Sequence, residues 1–379
     1  MKRATLAIAL VLATGSFTGA GAQTPGATPS SGASPGSPSV RPKKPDIYYI
    51  VLDRYGAAPI LKKDFGYDNE PFLNWLRSKG FYVADRGRDN YPRTSHSIAS
   101  TLNMRFLDGL APPTVSNYAP VYKLLKGPKV ARFLKARGYK YIKLGSWWKA
   151  TSSDPLADKN YKFQRPDKVT LYAAQHGLSI RERFYITEYF HRYWQYRQLR
   201  EVIPKIDGPK FVWAHILCPH EPWVVDRHGH FTAKSKKARA FFKHSHTIHH
   251  TNPENYVEQV RWTNTQLVKL VNSLLKGPEE SRPVVVIQAD EGPYTGLVPQ
   301  NATRVSIKKL KQKMFVLSTL YLPGVRKPPL YQSFSSVNDF RLIFNLYFGT
   351  HYALLPDRSY VYIYKDLYRF LDVTDLVTH

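Results

Sequence analysis

The chain has 379 residues and is strongly basic, with 55 Lys and Arg against 28 Asp and Glu and a formal net charge of +27. This length is ample for one large α/β domain with its own core. The single cysteine, Cys218, excludes an intrachain disulfide. The basic balance suits anionic partners such as phospholipid head groups or phosphate-rich envelope polymers, and no recognisable nucleic-acid-binding motif accompanies it.

The first residues have the arrangement of an export signal. Two basic residues precede an apolar run over residues 4–13, and small residues lead to Ala22. We therefore expect a signal peptide over residues 1–22, removed after Ala22, and an extracytoplasmic protein. An uncleaved anchor is the alternative, but the run is shorter than the roughly 20 apolar residues that span a bilayer. Residues 23–44, rich in Pro, Ser and Gly, predict a disordered linker, which leaves residues 45–379 as one large domain.

Strand-type apolar runs alternate with helical stretches along this domain. The alternation indicates an α/β fold with a mostly parallel central sheet and helices on both faces. The clearest helix begins after Asn252 and ends before Gly277, and a second covers residues 337–348. The predicted strands lie at residues 47–52, 81–84, 139–144, 210–217, 283–289 and 314–322.

Two of these runs end in acidic residues. The early run is followed directly by Asp53, and the run over 283–289 is followed by Asp290 and Glu291. Both are typical of buried parallel strands, whose carboxyl ends form the ligand-binding edge of an open α/β sheet. Acids from distant strands meet at that edge, so the sequence predicts a divalent-metal site there.

Between these acids lies a loop that enters a helix, with Thr94 at its mouth. An alcohol becomes a good nucleophile when a cation lowers its pKa, and a helix N-terminus stabilises phosphate charge. The loop therefore favours a covalent Thr94 intermediate on a phosphorylated substrate, with Ser95 and Ser97 as alternative nucleophiles. The competing interpretation is that Thr94 only caps the helix.

Four segments occur in an order that resembles the alkaline phosphatase superfamily, specifically its sulfatase-like branch, which includes lipoteichoic acid synthases and phosphoethanolamine transferases. They are the strand that ends at Asp53, the Thr94 loop, the His-Glu-Pro-Trp sequence from His220 and the Asp-Glu-Gly sequence from Asp290. Together they span most of residues 46–292. Each motif alone is weak, and the ordered set carries the resemblance.

By resemblance, Asp53, Thr94, Asp290 and Glu291 would hold the metal, and Thr94 would be the nucleophile. The relatives commonly have Asp-His-Gly where this chain has Asp-Glu-Gly. Glu291 in place of histidine keeps a ligand and favours Mg, Mn or Ca, with Zn retained as a candidate, but it is equally compatible with a weakened or lost metal. Relatives with two metals supply a further histidine downstream, which this chain lacks in a suitable context, so we expect one divalent ion.

The resemblance implies a role for His220, and position in the sequence suggests roles for His215, Arg54, Arg93 and Trp147. His220 would contact the substrate phosphate or protonate the leaving group, a task that suits imidazole. His215, inside a strand, is interpreted as a hydrogen-bonded core histidine. Arg54 and Arg93 would clamp a phosphate, with surface salt bridging as the equal alternative. Trp147 would wall the pocket, although ordinary packing explains it as well.

These residues indicate a sulfatase-like phosphodiester hydrolase or phosphotransferase that acts on an anionic phosphorylated envelope substrate. True sulfatase activity is disfavoured. The relatives that have it need a Cys or Ser in a Cys/Ser-x-Pro-x-Arg context, whereas Cys218 lies elsewhere and Thr94 cannot mature to the required aldehyde. The alternative is a non-catalytic envelope-binding protein on a degenerate sulfatase-like scaffold. No specific nucleic-acid partner is expected.

The excess positive charge is concentrated in four segments, which predict a basic surface for peripheral contact with an anionic membrane. A cluster of four histidines, His244, His246, His249 and His250, predicts a solvated insertion with loose or incidental metal binding. The basic segments are residues 123–140, 192–200, 234–239 and 308–313.

Overall fold

A seven-stranded sheet forms the centre of the fold, and two further pairs of strands lie outside it. The predicted signal peptide lies outside the described residues, as do His249, His250 and all of the predicted linker except Lys44. The computed structural model describes residues 44–248, 252–293, 306–363 and 366–378.

Strands and helices alternate along most of these ranges. None of the helices described combines the length and the apolar composition that crossing a bilayer requires. The strands are β1 (Ile47–Leu52), β2 (Tyr82–Val83), β3 (Lys140–Leu144), β4 (Lys159–Tyr161), β5 (Lys210–Ile216), β6 (Phe231–Thr232), β7 (Ser245–His246), β8 (Val284–Ala289), β9 (Ser318–Tyr321), β10 (Tyr360–Ile363) and β11 (Asp366–Asp372). The α-helices are α1 (Ala58–Phe65), α2 (Glu70–Ser78), α3 (Thr94–Asn103), α4 (Ala119–Leu124), α5 (Lys129–Lys135), α6 (Asp167–His176), α7 (Ile180–Arg197), α8 (Lys236–Arg239), α9 (Asn252–Leu274), α10 (Ile307–Met314), α11 (Asp339–Phe348) and α12 (Thr374–Thr378).

The central sheet has the strand order β2-β9-β8-β1-β5-β3-β4. Strand β1 lies between β5 and β8 and pairs in parallel with both, so that Leu52 lies opposite Ile216 on one side and Ala289 on the other. In this sheet only β9 runs opposite to the other strands, because it pairs antiparallel with both β8 and β2. Since three adjacent strands end at the same level, the residues that follow them meet at one edge.

Helices cover both faces of this sheet. On one face, Ile50 and Val212 belong to a core completed by α1, α2, α7 and α9. On the other face, Tyr49 and Trp213 belong to a core completed by α3, α5 and α11. Because both faces are buried, β1, β5 and β8 are apolar along nearly their whole length, as parallel strands commonly are. The predicted fold class, α/β with a mostly parallel sheet and helices on both faces, is confirmed.

The predicted elements match the observed ones closely. Each of the six predicted runs contains a strand, and the two predicted helices are α9 and α11. The last strand differs most from its predicted bounds of 314–322, because Met314 still belongs to α10 and the strand starts only at Ser318.

Two cations of the predicted basic surface are buried instead. Arg192 is 2% exposed and Lys313 is 3% exposed. Arg192 donates hydrogen bonds to the Gln259 side chain and the His220 carbonyl, and Lys313 pairs with Glu291. The prediction from charge segments is wrong for these two residues, because a count of charges along the chain does not show which long side chains turn inward.

Gly292 couples the end of β8 to the end of α10. Its N–H donates to the Lys313 carbonyl at 2.7 Å, and a Cβ on it would lie 1.9 Å from the Gln312 carbonyl oxygen. We expect Gly292→Ala to lower the unfolding free energy by about 1–3 kcal/mol or more, because backbone must move. Urea unfolding followed by circular dichroism measures the loss. Gly56→Ala is the matched comparison, since its Cβ would meet side-chain atoms alone, the nearest on Pro293 at 3.1 Å; equal losses would contradict the prediction.

Candidate active site

Three buried side chains meet at the carboxyl ends of β1, β5 and β8. Asp53 follows β1, Asp290 follows β8, and His215 is the penultimate residue of β5. His215 Nε2 lies 3.5 Å from Asp53 Oδ2 and 3.8 Å from Asp290 Oδ2. None of the three is more than 3% exposed. The strand order thus brings the two predicted acids together and adds a histidine to them.

Each residue of this group has a buried polar atom that lacks a hydrogen bond. Asp53 Oδ1, Asp290 Oδ2 and His215 Nε2 are buried without a hydrogen-bond partner among the described residues. Buried polar atoms normally have partners, and two carboxylates with an imidazole are a donor set for a divalent cation. His215 Nδ1 lies 2.8 Å from the Thr151 hydroxyl, an outer contact of the kind that orients metal-binding histidines. These residues therefore fit a divalent ion.

The electrostatics of the group also favour a cation. Burial and the negative charges of Asp53 and Glu291 raise the pKa of the Asp290 carboxyl well above its usual range. Burial opposes ionisation of Asp53 as well, but His220 and His215 outweigh it and lower the pKa of that carboxyl. Of the two acids, Asp53 thus keeps its negative charge more readily than Asp290. A bound cation would stabilise both as carboxylates.

Thr94 begins helix α3 beside this group. Arg93 occupies the N-cap position without a capping side-chain bond, so the alternative that Thr94 merely caps the helix is wrong. The Thr94 side chain is near enough to Asp290 to act against the raised pKa of that carboxyl. Ser95 and Ser97 are buried, whereas Thr94 is partly exposed, which makes its hydroxyl the most accessible of the three candidates.

A cavity of about 330 Å³ lies against the nucleophile candidate. It is lined by every site residue that the sequence predicts except Asp290, which is fully buried. Aromatic rings supply much of the remaining wall, and Trp147 is 45% exposed. The lining residues are Asp53, Arg54, Arg93, Thr94, Ser95, Tyr118, Tyr122, Trp147, Trp148, Leu217, His220 and Glu291.

The two predicted phosphate-binding arginines differ in their partners. Arg54 donates from Nε to Glu291 at 2.9 Å and from an Nη atom to Glu221 at 2.8 Å. Its backbone N–H points to Asp290 Oδ1 at 3.3 Å, in a left-handed conformation with φ of 65°. Arg93, in contrast, has no acidic partner among the described residues, and its Nε is buried without a hydrogen bond. The structure thus commits Arg54 to carboxylates and leaves Arg93 available to an anion.

Glu291 lies next to the metal-type group but does not belong to it. Its two carboxylate oxygens pair with Arg54 Nε at 2.9 Å and with Lys313 Nζ at 2.8 Å. Burial opposes its ionisation, but these two cations outweigh the burial and lower the pKa of Glu291. Its predicted role as a metal ligand therefore stays a prediction, and the two ion pairs weigh against it.

His220 is held at the cavity wall by hydrogen bonds from several elements. Its N–H donates to the Asp53 carbonyl at 3.0 Å, and its carbonyl accepts from Arg192 at 3.0 Å and from Gln259 at 3.2 Å. Its Nδ1 lies 2.5 Å from the Glu221 carbonyl oxygen, so Nδ1 is the donor nitrogen. Nε2 is then the nitrogen that remains for proton transfer with a substrate.

Sequence reasoning missed His215 and Lys313. His215 was interpretable only as a core histidine, and that interpretation holds for Nδ1 but not for Nε2, which faces the two acids. The sequence offers one signal for His215, which is that it is the only polar residue in the interior of an otherwise apolar strand. In the structure it lies opposite Val51 of β1. Lys313 carries no such signal, because it lies among other lysines of α10.

The fold is that of the sulfatase-like branch of the alkaline phosphatase superfamily. The family model described as Sulfatase matches residues 45–320. The chain therefore belongs to the sulfatase family. A comparison with curated proteins found no match.

Solved structures with the same fold share little sequence with this chain. The C-terminal periplasmic domain of EcEptC from Escherichia coli, in complex with Zn, has a TM-score of 0.54 and 13% identity, and covers 87% of this chain and 92% of that one. A protein in the alkaline phosphatase superfamily from Vibrio parahaemolyticus has a TM-score of 0.52 and 12% identity over 86% of this chain and 74% of that one. At this identity the likeness shows the fold alone.

The Glu291–Lys313 pair gives a test of how the site is held together. We expect Lys313→Met to lower the unfolding free energy by about 3–5 kcal/mol, because a buried charge loses a partner. Glu291→Gln combined with Lys313→Met should recover much of that loss, since neither charge is then left alone. Urea unfolding of both single variants and the double variant measures the coupling. Additive losses would contradict the pair.

Proposed function

We propose that this chain is an extracytoplasmic, metal-dependent enzyme that cleaves or transfers a phosphoester of an anionic envelope substrate through a covalent Thr94 intermediate. One observation carries the proposal. Thr94 lies at the cavity beside a buried Asp53–His215–Asp290 group, in which Asp53 Oδ1, Asp290 Oδ2 and His215 Nε2 have no hydrogen-bond partner among the described residues. The periplasmic domain of EcEptC, which shares the fold, supports the extracytoplasmic placement.

Asp53, His215 and Asp290 would hold the cation, with Thr94 beside them. A divalent ion bound there would lower the pKa of the Thr94 hydroxyl and neutralise part of the phosphate charge. The first turn of α3 adds to this, because the N–H groups at a helix N-terminus have no intrahelical acceptor and stabilise anions. Arg93, at the N-cap, supplies a full positive charge at the same point.

The reaction would take place in two displacements. In the first, Thr94 Oγ attacks phosphorus and the ester P–O bond breaks; the hydroxyl proton has the Asp290 carboxylate as its acceptor, and the leaving oxygen takes a proton from His220. In the second, water or an acceptor hydroxyl gives its proton to His220 and attacks phosphorus; the P–Oγ bond breaks, Thr94 Oγ takes back the proton held by Asp290, and the phosphoryl group leaves on the attacking oxygen. Water as the acceptor gives a hydrolase, whereas an alcohol gives a transferase.

The cavity wall suits a phosphorylated substrate with a larger body attached. Arg93 would bind the phosphate, while Trp147 and its aromatic neighbours would contact the rest of the substrate. The net charge of +27 favours an anionic envelope surface, and peripheral membrane contact through exposed lysines and arginines belongs to the same proposal. Arg54 acts as a positioning residue, because its side chain is already paired with two carboxylates.

Sulfate-ester chemistry of the aldehyde type is not part of this proposal. Cys218 is fully buried in the core, and its Sγ lies 3.2 Å from the Thr263 hydroxyl. It does not line the cavity that contains Thr94. The family name therefore describes descent and fold, and the proposed reaction is phosphoryl transfer.

A non-catalytic envelope-binding protein is the second candidate function. The observation that favours it is that Glu291, at the relatives' histidine position, is paired with Arg54 and Lys313. The two candidates differ in a simple way. An enzyme should turn over a phosphodiester in the presence of a divalent ion, whereas a binding protein should retain its ligand without turnover.

Metal content and a trapped intermediate test the enzyme directly. We expect Asp290→Asn to lose one equivalent of metal and all turnover of a chromogenic phosphodiester, because the buried group loses a charged donor. Thr94→Ala should lose turnover but keep most of the metal, and Thr94→Ser should keep both, since it retains the hydroxyl. Elemental analysis, rates with each divalent ion and mass spectrometry of acid-quenched protein measure these outcomes. Full turnover by Thr94→Ala would exclude the covalent mechanism.

The leaving group tests His220 as the proton donor. A p-nitrophenolate leaves without protonation, whereas an alkoxide needs a proton. We therefore expect His220→Ala to slow cleavage of an alkyl phosphodiester by about 10²–10⁴-fold and to slow cleavage of a p-nitrophenyl ester much less. His228→Ala, at a histidine that does not line this cavity, is the matched control. An equal loss on both substrates would assign His220 to phosphate binding instead.

A further inference from the structure

A second group of metal-type side chains lies outside the candidate active site. Asp226, His230 and His246 turn three atoms toward one another, although the residues come from two separate parts of the chain. His230 Nδ1 lies 3.2 Å from Asp226 Oδ2 and 3.2 Å from His246 Nε2, and the third distance, from His246 Nε2 to Asp226 Oδ2, is 3.7 Å. The histidine cluster in the sequence includes His246 but gives no indication of its two partners.

These spacings are those of a tetrahedral site. An ion with metal–ligand bonds of about 2.0–2.1 Å in tetrahedral geometry holds its ligand atoms about 3.3–3.4 Å apart. The three observed separations lie around that value. A network of hydrogen bonds is the competing explanation, but His230 Nδ1 either carries a proton or accepts one, and in neither tautomer does a single proton serve both 3.2 Å contacts.

Two of the three ligands are held in place without any ion. Asp226 Oδ1 accepts hydrogen bonds from the N–H groups of His228 at 2.9 Å and His230 at 2.8 Å, which leaves Oδ2 for other contacts. The turn between them is fixed at Gly229, whose carbonyl accepts from the hydroxyls of Tyr189 at 2.8 Å and Tyr193 at 2.9 Å. Such outer hydrogen bonds are typical of carboxylates that bind metals.

The third ligand reaches the turn through a short pair of strands. His246 ends β7, where it lies opposite Thr232 of β6, immediately after the turn that carries His230. Its side chain is 58% exposed, whereas that of Asp226 is 15% exposed, so the group is open on the His246 side. A cavity of about 400 Å³, which Asp226 and His246 both line, adjoins the open side. Three protein ligands with an open position leave room for water or an anion on the ion.

We propose that Asp226 Oδ2, His230 Nδ1 and His246 Nε2 bind a zinc-type divalent cation at a site separate from the candidate active site. Two imidazoles and one carboxylate select zinc and the neighbouring late first-row ions over magnesium and calcium, which prefer oxygen ligands alone. The ion ties the β7 strand to the turn at Gly229 and presents its open position to the adjoining cavity.

The test counts zinc in the full chain, purified without a polyhistidine tag. We expect His246→Ala and His230→Ala each to bind one equivalent fewer than the wild type, with site affinity reduced by more than the roughly 10–100-fold that loss of an outer contact costs. Elemental analysis after gel filtration and competition with a chromophoric chelator measure both quantities. The difference between wild type and variant is independent of the buried Asp53–His215–Asp290 group, so failure here and failure of the proposed enzyme are distinguishable.

Matched controls come from neighbouring histidines. His228→Ala and His244→Ala remove rings whose centroids lie 6.0 and 6.2 Å from that of His230, and both should retain the full zinc content. Asp226→Asn keeps an oxygen for the two backbone N–H groups but removes the charge, so it should weaken zinc binding while the protein stays folded. Cobalt(II) in place of zinc should give the visible absorption of a tetrahedral complex, absent in His246→Ala. Equal zinc contents in all variants, or equal losses in the controls, would overturn the proposal.

Discussion

Three carboxylates are buried within one small region at the ends of β1 and β8, and most of the surrounding structure compensates their charge. An isolated carboxylate costs a large free energy when it leaves water, so each needs a partner. Glu291 has Arg54 and Lys313. Asp290 accepts from the Arg54 backbone, while Asp53 has His215 nearby. The unusual features of this edge, including the left-handed Arg54 and the buried Lys313, are consequences of this requirement.

The sequence predicted the elements of this edge because local patterns define them. Apolar runs that end in Asp53 and Asp290 mark the strands, and the loop before Thr94 marks the start of a helix. The partners of these residues were not predictable in the same way. His215 becomes a candidate ligand only through the parallel register of β5 with β1, and Lys313 becomes a buried counter-ion only because α10 packs against the end of β8. Both depend on tertiary contacts between segments far apart in the chain.

The Asp226–His230–His246 group also could not be predicted from the sequence alone. A run of histidines was visible in the sequence, but only the pairing of β6 with β7 shows which of them faces the Asp226 turn. Helix α7 also links this turn to the candidate active site. Arg192 holds the His220 carbonyl, and Tyr189 and Tyr193, on the same helix, hold the Gly229 carbonyl. One rigid helix thus fixes the positions of both histidine-bearing turns.

The charges around the Thr94 cavity are close to balanced without an ion. Glu291 and Glu221 share Arg54, Glu291 also has Lys313, and Arg93 has no acidic partner among the described residues. Because burial and its acidic neighbours raise the pKa of Asp290, this carboxyl contributes its full negative charge only when a cation is bound. An ion in the Asp53–His215–Asp290 group would therefore add less positive charge to the cavity than its own two units, since it would also release the proton of Asp290.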